Sequence, residues 1–316
     1  MSLESLAEMT RHYPMASLPP SRTEYTKNLT MRDGHVHEVG VYKPQSLATG
    51  PLVVLIHGGG FCLGHYSHMS FYSRALVSVF GATVVGIAYR VAPEFPFPTA
   101  PQDVWDSLTA LTSPDMAEDL GLDLSKGFLI GGTSAGANLA AVAVQQWVTQ
   151  ELSPPILGVW LNIPIIFDAT IVPEEHKALW LSREQNSNAM VINAKSREYV
   201  YKVYKPDVRS PDFSPFNSPN PHLGLPPVYI QVCGKDPLRD DGLVYERVLR
   251  QHGVKTRLDA YPGVPHGAAN LFPTLTSSNK HQVDVLKGFG WLFDKEVVDD
   301  ECQAAVKGGV GRVRLI

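Results

Sequence analysis

The chain's 316 residues predict an α/β fold with a mainly parallel central sheet and helices on both faces. Three observations carry this expectation. PLVVLIHGG, ATVVGIAYR and GFLIGG are unbroken apolar runs ended by turn residues, as expected of strands buried on both faces. Helical spacing fills the intervals between such runs, which is the order of βαβ units. The length suits one large domain or two modest ones, enough chain to bury a sizeable core.

Near the N-terminus, Leu3, Leu6 and Met9 recur at helical spacing and suggest a short amphipathic helix. SFYSRALVSVF and APQDVWDSLTALTS read as helices on either side of the second strand, and ANLAAVAVQQWVTQ follows the third. PPILGVWLNIP, PPVYIQVCG and the partly alternating TRLDAYPG supply three more strands, while DGLVYERVLRQHG and HQVDVLKGFGWLFDKEV supply two more helices. The rhythm stops between Phe167 and Pro221, where a polar stretch dotted with aromatics surrounds a helical SREYVYKVY and ends in SPDFSPFNSPNP. An interruption this long between two strands is usually a lid or an inserted subdomain. The expectation is a core of residues 46–166 and 222–297, a helical cap formed by 167–221 together with 1–45, and a mobile tail at 298–316, where apolar anchors are few.

Composition narrows the function classes. The chain is 44% hydrophobic and 18% charged with a formal net charge of -4, so it carries no basic field to hold nucleic acid. The first residues include Glu4 and Glu8 and lack the apolar centre of a secretory signal. PPILGVWLNIPIIF is interrupted by proline and asparagine and is too short to span a bilayer. Cys62, Cys233 and Cys302 are odd in number and far apart, which argues against a disulfide framework. A soluble protein in a reducing compartment is expected, with the cytosol as the default address. A monomer and a homodimer are both compatible with the sequence.

The chemistry centres on GGTSAGAN, residues 131–138. Glycine and serine are ordinary turn residues, yet here a strand runs into Gly132-Thr133-Ser134-Ala135-Gly136 and a helix leaves it. That is the strand–turn–helix setting of a nucleophile elbow, in which glycines let the backbone close and push the serine hydroxyl outward. The helix N-terminus also aims its amides at the place where an oxyanion would form.

Serine needs a base, and the base an orienting acid. In sheets of this kind the partners follow in the order Ser, Asp, His on loops past strand ends. Asp236 follows PPVYIQVCG, and His266 follows TRLDAYPG in Gly263-Val264-Pro265-His266-Gly267. Asp240 and Asp241 open the next helix and suit helix capping. His252 reads as a helix C-terminal residue, and His281 falls at the start of the last helix.

His57-Gly58-Gly59-Gly60 follows the first strong strand, so the amides of Gly58 and Gly59, with that of Ala135, are candidates for an oxyanion hole. A dinucleotide fingerprint is the rival reading, but glycines 58, 60 and 64 are off its spacing by one and no acid ends the following strand. His57, His65 and His68 lack companion carboxylates or thiolates at ligand spacing, so no metal and no other cofactor is expected.

These blocks together resemble the hormone-sensitive lipase-like branch of the α/β-hydrolases, which includes microbial carboxylesterases, arylacetamide deacetylase and plant relatives. HGGGF at 57–61, YRVAPEFPFPTAPQD at 89–103, GTSAG at 132–136, DPLRDDG at 236–242 and PHG at 265–267 carry the resemblance over most of the chain. It implies the α/β-hydrolase fold with a helical cap, Ser134 as nucleophile, His266 as base, Asp236 as orienter, and an oxyanion hole from Gly58, Gly59 and Ala135. Arg90 and Glu94 look like structural network residues. Thr133 and Ala137 depart from the family's more usual Asp and Gly.

The implied activity is hydrolysis of a small-molecule carboxylic ester through an acyl-enzyme, and the style is similar to fungal esterases of secondary-metabolite clusters. An acyltransferase or lyase using the same three residues, or a non-catalytic ligand receptor, are the alternatives. Between sheet and cap, Phe61, Leu63, Phe167, Trp180, Tyr199 and Tyr204 are candidate pocket walls.

Overall fold

A computed structural model describes residues 22–45 and 50–309. The suggested helix around Leu3–Met9 lies outside the described residues. Eight strands form one sheet: β1 (Arg22–Thr30), β2 (Val36–Pro44), β3 (Leu52–Ile56), β4 (Thr83–Ile87), β5 (Phe128–Thr133), β6 (Ile156–Asn162), β7 (Val228–Cys233) and β8 (Thr256–Tyr261). Their spatial order is β1-β2-β4-β3-β5-β6-β7-β8. β2 runs antiparallel to both β1 and β4, and every pairing from β4 onward is parallel.

Every residue of LVVLI in β3, TVVGI in β4 and VYIQVC in β7 is buried. Such strands cannot show polar alternation, because helices cover both faces of the sheet. The helices are α1 (Ser70–Phe80), α2 (Thr99–Leu111), α3 (Pro114–Leu120), α4 (Ala135–Thr149), α5 (Ser182–Gln185), α6 (Ala194–Tyr204), α7 (Arg239–Gln251), α8 (Ala268–Leu271), α9 (Thr276–Leu292) and α10 (Asp299–Gly309). Two apolar clusters result. One includes Val54, Ile130, Leu139 and Ile230 and meets α2, α4 and α7; the other includes Leu55, Trp160, Leu76 and Phe289 and meets α1 and α9. Among the described residues, no helix is long and apolar enough to cross a membrane.

Two expectations are corrected. Residues 22–44, expected as part of a cap, are β1 and β2, an antiparallel pair that extends the sheet past β4. Their polar residues hid them, because an edge strand keeps one side in water: in β1, Thr23, Thr26, Asn28 and Thr30 are exposed, while Glu24 is turned in to pair with the buried Arg74 at 2.9 Å. Residues 299–309, expected as mobile tail, form α10, which packs on α1 and buries Cys302, Ala305 and Val306. Those three small apolar side chains at helical spacing suffice to dock one face.

Between β6 and β7 the chain makes only short helices, and buried polar side chains tie this segment to the core. From α4, Asn138 Nδ2 donates to the carbonyls of Ile165 and Phe213 at 2.9 and 2.8 Å. Gln145 Oε1 accepts the His222 amide at 2.7 Å. From α7, Asp240 Oδ2 accepts the amides of Leu181 and Ser182 at 2.7 and 2.6 Å. Asp241 accepts from the amides of Ile166 and Phe167, from Trp180 Nε1 and from Arg183 Nη2, all within 3.1 Å. The expected helix-capping role of Asp240 and Asp241 is therefore replaced by one of anchorage.

Asp241 is fully buried, so its removal leaves the Arg183 guanidinium buried without a counter-charge. Asp241→Ala should cost about 3–5 kcal/mol in urea unfolding. Lys177→Ala, at the exposed Glu174 pair, should be nearly silent.

Candidate active site

β5 ends where α4 begins, and the turn between them is unusually tight. A Cβ on Gly132 would fall 2.3 Å from the carbonyl carbon of Gly136, and one on Gly136 would fall 2.3 Å from the Ile56 oxygen. No real side chain fits either gap. The residue between them, Ser134, takes φ 57° and ψ −116°, a left-handed backbone that costs a non-glycine residue on the order of 1–3 kcal/mol. Its amide is held by Asn162 O at 2.8 Å, at the end of the neighbouring strand β6.

This turn brings the three predicted side chains together. Ser134 Oγ lies 2.9 Å from His266 Nε2, and His266 Nδ1 lies 2.7 Å from Asp236 Oδ2. The second carboxylate oxygen of Asp236 accepts the Leu238 amide at 2.8 Å. All three residues are buried, Asp236 completely. With Asp236 accepting at Nδ1–H, the other ring nitrogen of His266 is left as an acceptor facing the hydroxyl. The geometry can move a proton from Ser134 to His266 while Asp236 fixes the ring.

The glycine loop after β3 passes beside the serine: a Cβ on Gly58 would lie 3.3 Å from Ser134 Cβ and 2.8 Å from Thr133 O. Gly59, at φ 125°, has no room for a side chain against Leu63 O. Ala135 opens α4, whose first amides have no partner within the helix. His57 shapes this loop. Its Nδ1–H donates to Gly58 O at 2.7 Å, and its ring stacks on Tyr89 at 4.3 Å. Burial pushes its pKa down to about 3, so it is neutral and serves as scaffold. Burial also pushes the Cys62 thiol up to about 11, which keeps this neighbour of the glycine loop protonated and weakly nucleophilic.

The predicted wall residues divide. Phe167 and Trp180 line one cavity of about 270 Å³. Phe61 and Tyr204 are buried and stack on each other at 4.2 Å, Leu63 is half-buried against Gly59, and Tyr199 is exposed. Arg90 joins a network with Asp103 and Asp33, and Asp103 also receives His37. Glu94, expected in such a network, is exposed.

One buried residue, Asn162, was missed, and the partner of another, His281, was not foreseen. Asn162, besides holding the Ser134 amide, donates through Nδ2 to Thr133 Oγ1 at 3.3 Å and accepts from His281 Nε2 at 2.9 Å. His281 sits within α9 rather than at the start of the last helix. Nothing in the sequence links residues 119 positions apart; only the end of β6 beside β5 reveals the pair.

Burial pushes His281 down to about 4. Its imidazole and that of His57 therefore stay neutral in the fold, whereas an unfolded chain protonates histidine near pH 6.5. The unfolded state thus binds more protons between those values, so stability is full above about 6.5 and declines as pH falls from there. The urea midpoint should drop between pH 7.5 and 5, less steeply in His281→Gln; parallel slopes would contradict this.

Comparison with known proteins identifies the family. Residues 53–270 match a family model described as the alpha/beta hydrolase fold. An AB hydrolase superfamily protein of Schizosaccharomyces pombe is 34% identical, with 85% of this chain and 80% of that protein covered. A versiconal hemiacetal acetate esterase of Dothistroma septosporum is 29% identical over 88% of this chain and 85% of its own length. The crystal structure of vibralactone cyclase superposes with a TM-score of 0.84 at 29% identity, covering 93% of this chain and 90% of that one. The chain belongs to the hormone-sensitive lipase-like, alpha/beta hydrolase fold-3 family.

Proposed function

We propose that the protein is a serine carboxylester hydrolase acting on a small-molecule ester. The observation that carries this reading is the chain of two short contacts, Ser134 Oγ to His266 Nε2 at 2.9 Å and His266 Nδ1 to Asp236 Oδ2 at 2.7 Å. A relative named as an acetate esterase supports the ester as substrate class.

Ser134 Oγ attacks the ester carbonyl while His266 Nε2 takes its proton, and Asp236 stabilises the imidazolium. The carbonyl oxygen becomes an oxyanion that the amides of Gly58, Gly59 and Ala135 receive. His266 then returns the proton to the departing alkoxide, which leaves as the alcohol. Water, deprotonated by the same imidazole, attacks the acyl-serine and releases the acid. The segment 167–221 is the cap that excludes bulk water from these steps.

A second reading has a specific motive in the likeness to vibralactone cyclase. A hydroxyl within the acyl group, rather than water, would then capture the acyl-serine and give a cyclic ester. Both readings share the first half-reaction, and mass analysis of the products from a hydroxyacyl ester separates them.

Ser134→Ala should lower turnover of a short p-nitrophenyl ester by roughly four to six orders of magnitude while the fold persists. Unchanged turnover would remove the proposal. Asp236→Asn, which keeps size but supports the wrong imidazole tautomer, should lose roughly ten-thousandfold in kcat. A fluorophosphonate should label Ser134 in the wild type, and peptide mapping that finds the label elsewhere would relocate the nucleophile.

A further inference from the structure

The cavity lined by Phe167 and Trp180 also has Arg183, Arg197, Asp168 and Tyr201 in its wall. Its two cations are unequally compensated. Arg183 is buried and gives Nη2 to Asp241 at 2.8 Å and to Phe167 O at 3.1 Å. Arg197 makes one long contact, Nη2 to Arg183 O at 3.5 Å, and no ion pair with a carboxylate among the described residues. The Nε atoms of both guanidiniums are buried without a hydrogen-bond partner. Burial and the adjacent Arg183 charge push the Arg197 guanidinium below its ordinary range, against a smaller opposing pull from Asp241.

The nearby acids do not supply one. Asp168 accepts from the amide and hydroxyl of Thr170, and Glu198 is exposed. Buried donors left unmade are costly, and a planar anion answers guanidinium geometry. Asp168 and Glu198 would repel a dianion such as phosphate more strongly than a monoanion. The aromatic rings of Phe167, Trp180 and Tyr201 suit an apolar chain. Those conditions select an organic carboxylate.

Phe167, Trp180 and Arg183 of the cavity wall lie in a stretch pinned to the proposed triad on either side, and Arg197 joins it through its contact with the Arg183 carbonyl. Phe167 follows five residues after Asn162, whose carbonyl holds the Ser134 amide. Three residues beyond Arg183, Asn186 Nδ2 donates to Asp236 O at 3.1 Å. We propose that this cavity receives a free carboxylate carried by the ester substrate, so that the enzyme prefers half-esters of dicarboxylic acids over their neutral diesters. This rests on the ester-hydrolase reading.

The test compares monoethyl succinate, adipate and suberate, each against its diethyl ester, by kcat/KM in wild type and Arg197→Gln. For at least one chain length, the ratio of half-ester to diester should fall roughly tenfold to a hundredfold in the variant, the loss of one charge-assisted hydrogen bond. The loss should lie mainly in KM. A ratio equal in both proteins at every chain length would overturn the proposal. Turnover of a short p-nitrophenyl ester with none of the six hydrolysed overturns the proposal. Should wild type hydrolyse neither these six esters nor the p-nitrophenyl ester, the ester-hydrolase reading fails, and the cavity is then judged by melting temperature. Stabilisation of wild type but not of Arg197→Gln by monoethyl adipate upholds the carboxylate site, and its absence overturns it.

Discussion

The left-handed backbone at Ser134 is the constraint from which the site's geometry follows. A serine at φ 57° is tolerated only where its surroundings leave no alternative. Three contacts impose it here: Gly136 lies against Ile56 and His57, Gly132 lies against Gly136, and Asn162 O captures the serine amide. Side chains on either glycine would separate strand from helix and let the turn relax. The strain lifts the hydroxyl out of the sheet and toward His266, and the same closeness brings the Gly58 loop against the serine.

That geometry depends on a second layer of buried polar groups. Asn162 links the serine's amide to Thr133 and to His281 on α9, so strand β6 and helix α9 both report on the turn. Asn138, one turn into α4, donates to two carbonyls of the segment between β6 and β7. Asp240 and Asp241, one turn past Asp236, hold the other side of that segment. The helices that flank the proposed nucleophile and its orienting acid are thus the helices that fasten the segment above. Such buried networks are costly if half-made and rigid when complete. The near-complete pairing around Asp241 gives the segment a fixed position over the core.

Legibility in the sequence followed burial. β3, β4 and β5 announce themselves because strands covered on both faces must be apolar throughout, and α1 occupies the same residues that its helical spacing marks, Ser70–Phe80. β1 and β2 escaped because they mix buried positions such as Val39 and Val41 with exposed polar ones, and nothing local distinguishes that from a surface loop. Ser134, Asp236 and His266 were legible because each follows a recognisable strand, and strand ends converge at one edge of a parallel sheet. Arg183, Arg197, Asn162 and His281 were not. Their meaning is relational: a buried charge matters through what does or does not neutralise it, and that partner is fixed only by the fold.

The replacement of the family's more usual acid by Thr133 shows how such relations shift. A carboxylate before the nucleophile would stand beside the Asn162 amide and accept its Nδ2–H with a full charge. Threonine accepts that same donor at 3.3 Å without placing a charge under the serine. His281 is correspondingly neutral, donating to Asn162 Oδ1, and its second nitrogen is buried without a partner. An added negative charge here would raise the proton affinity of His281 and, through Asn162, pull on the turn itself. The uncharged threonine keeps the network neutral, leaving Asp236 as the carboxylate bonded to the His266 ring. In a low-dielectric site that separation matters: the imidazole can be polarised along the line from Asp236 to Ser134 rather than toward a second anion beneath it.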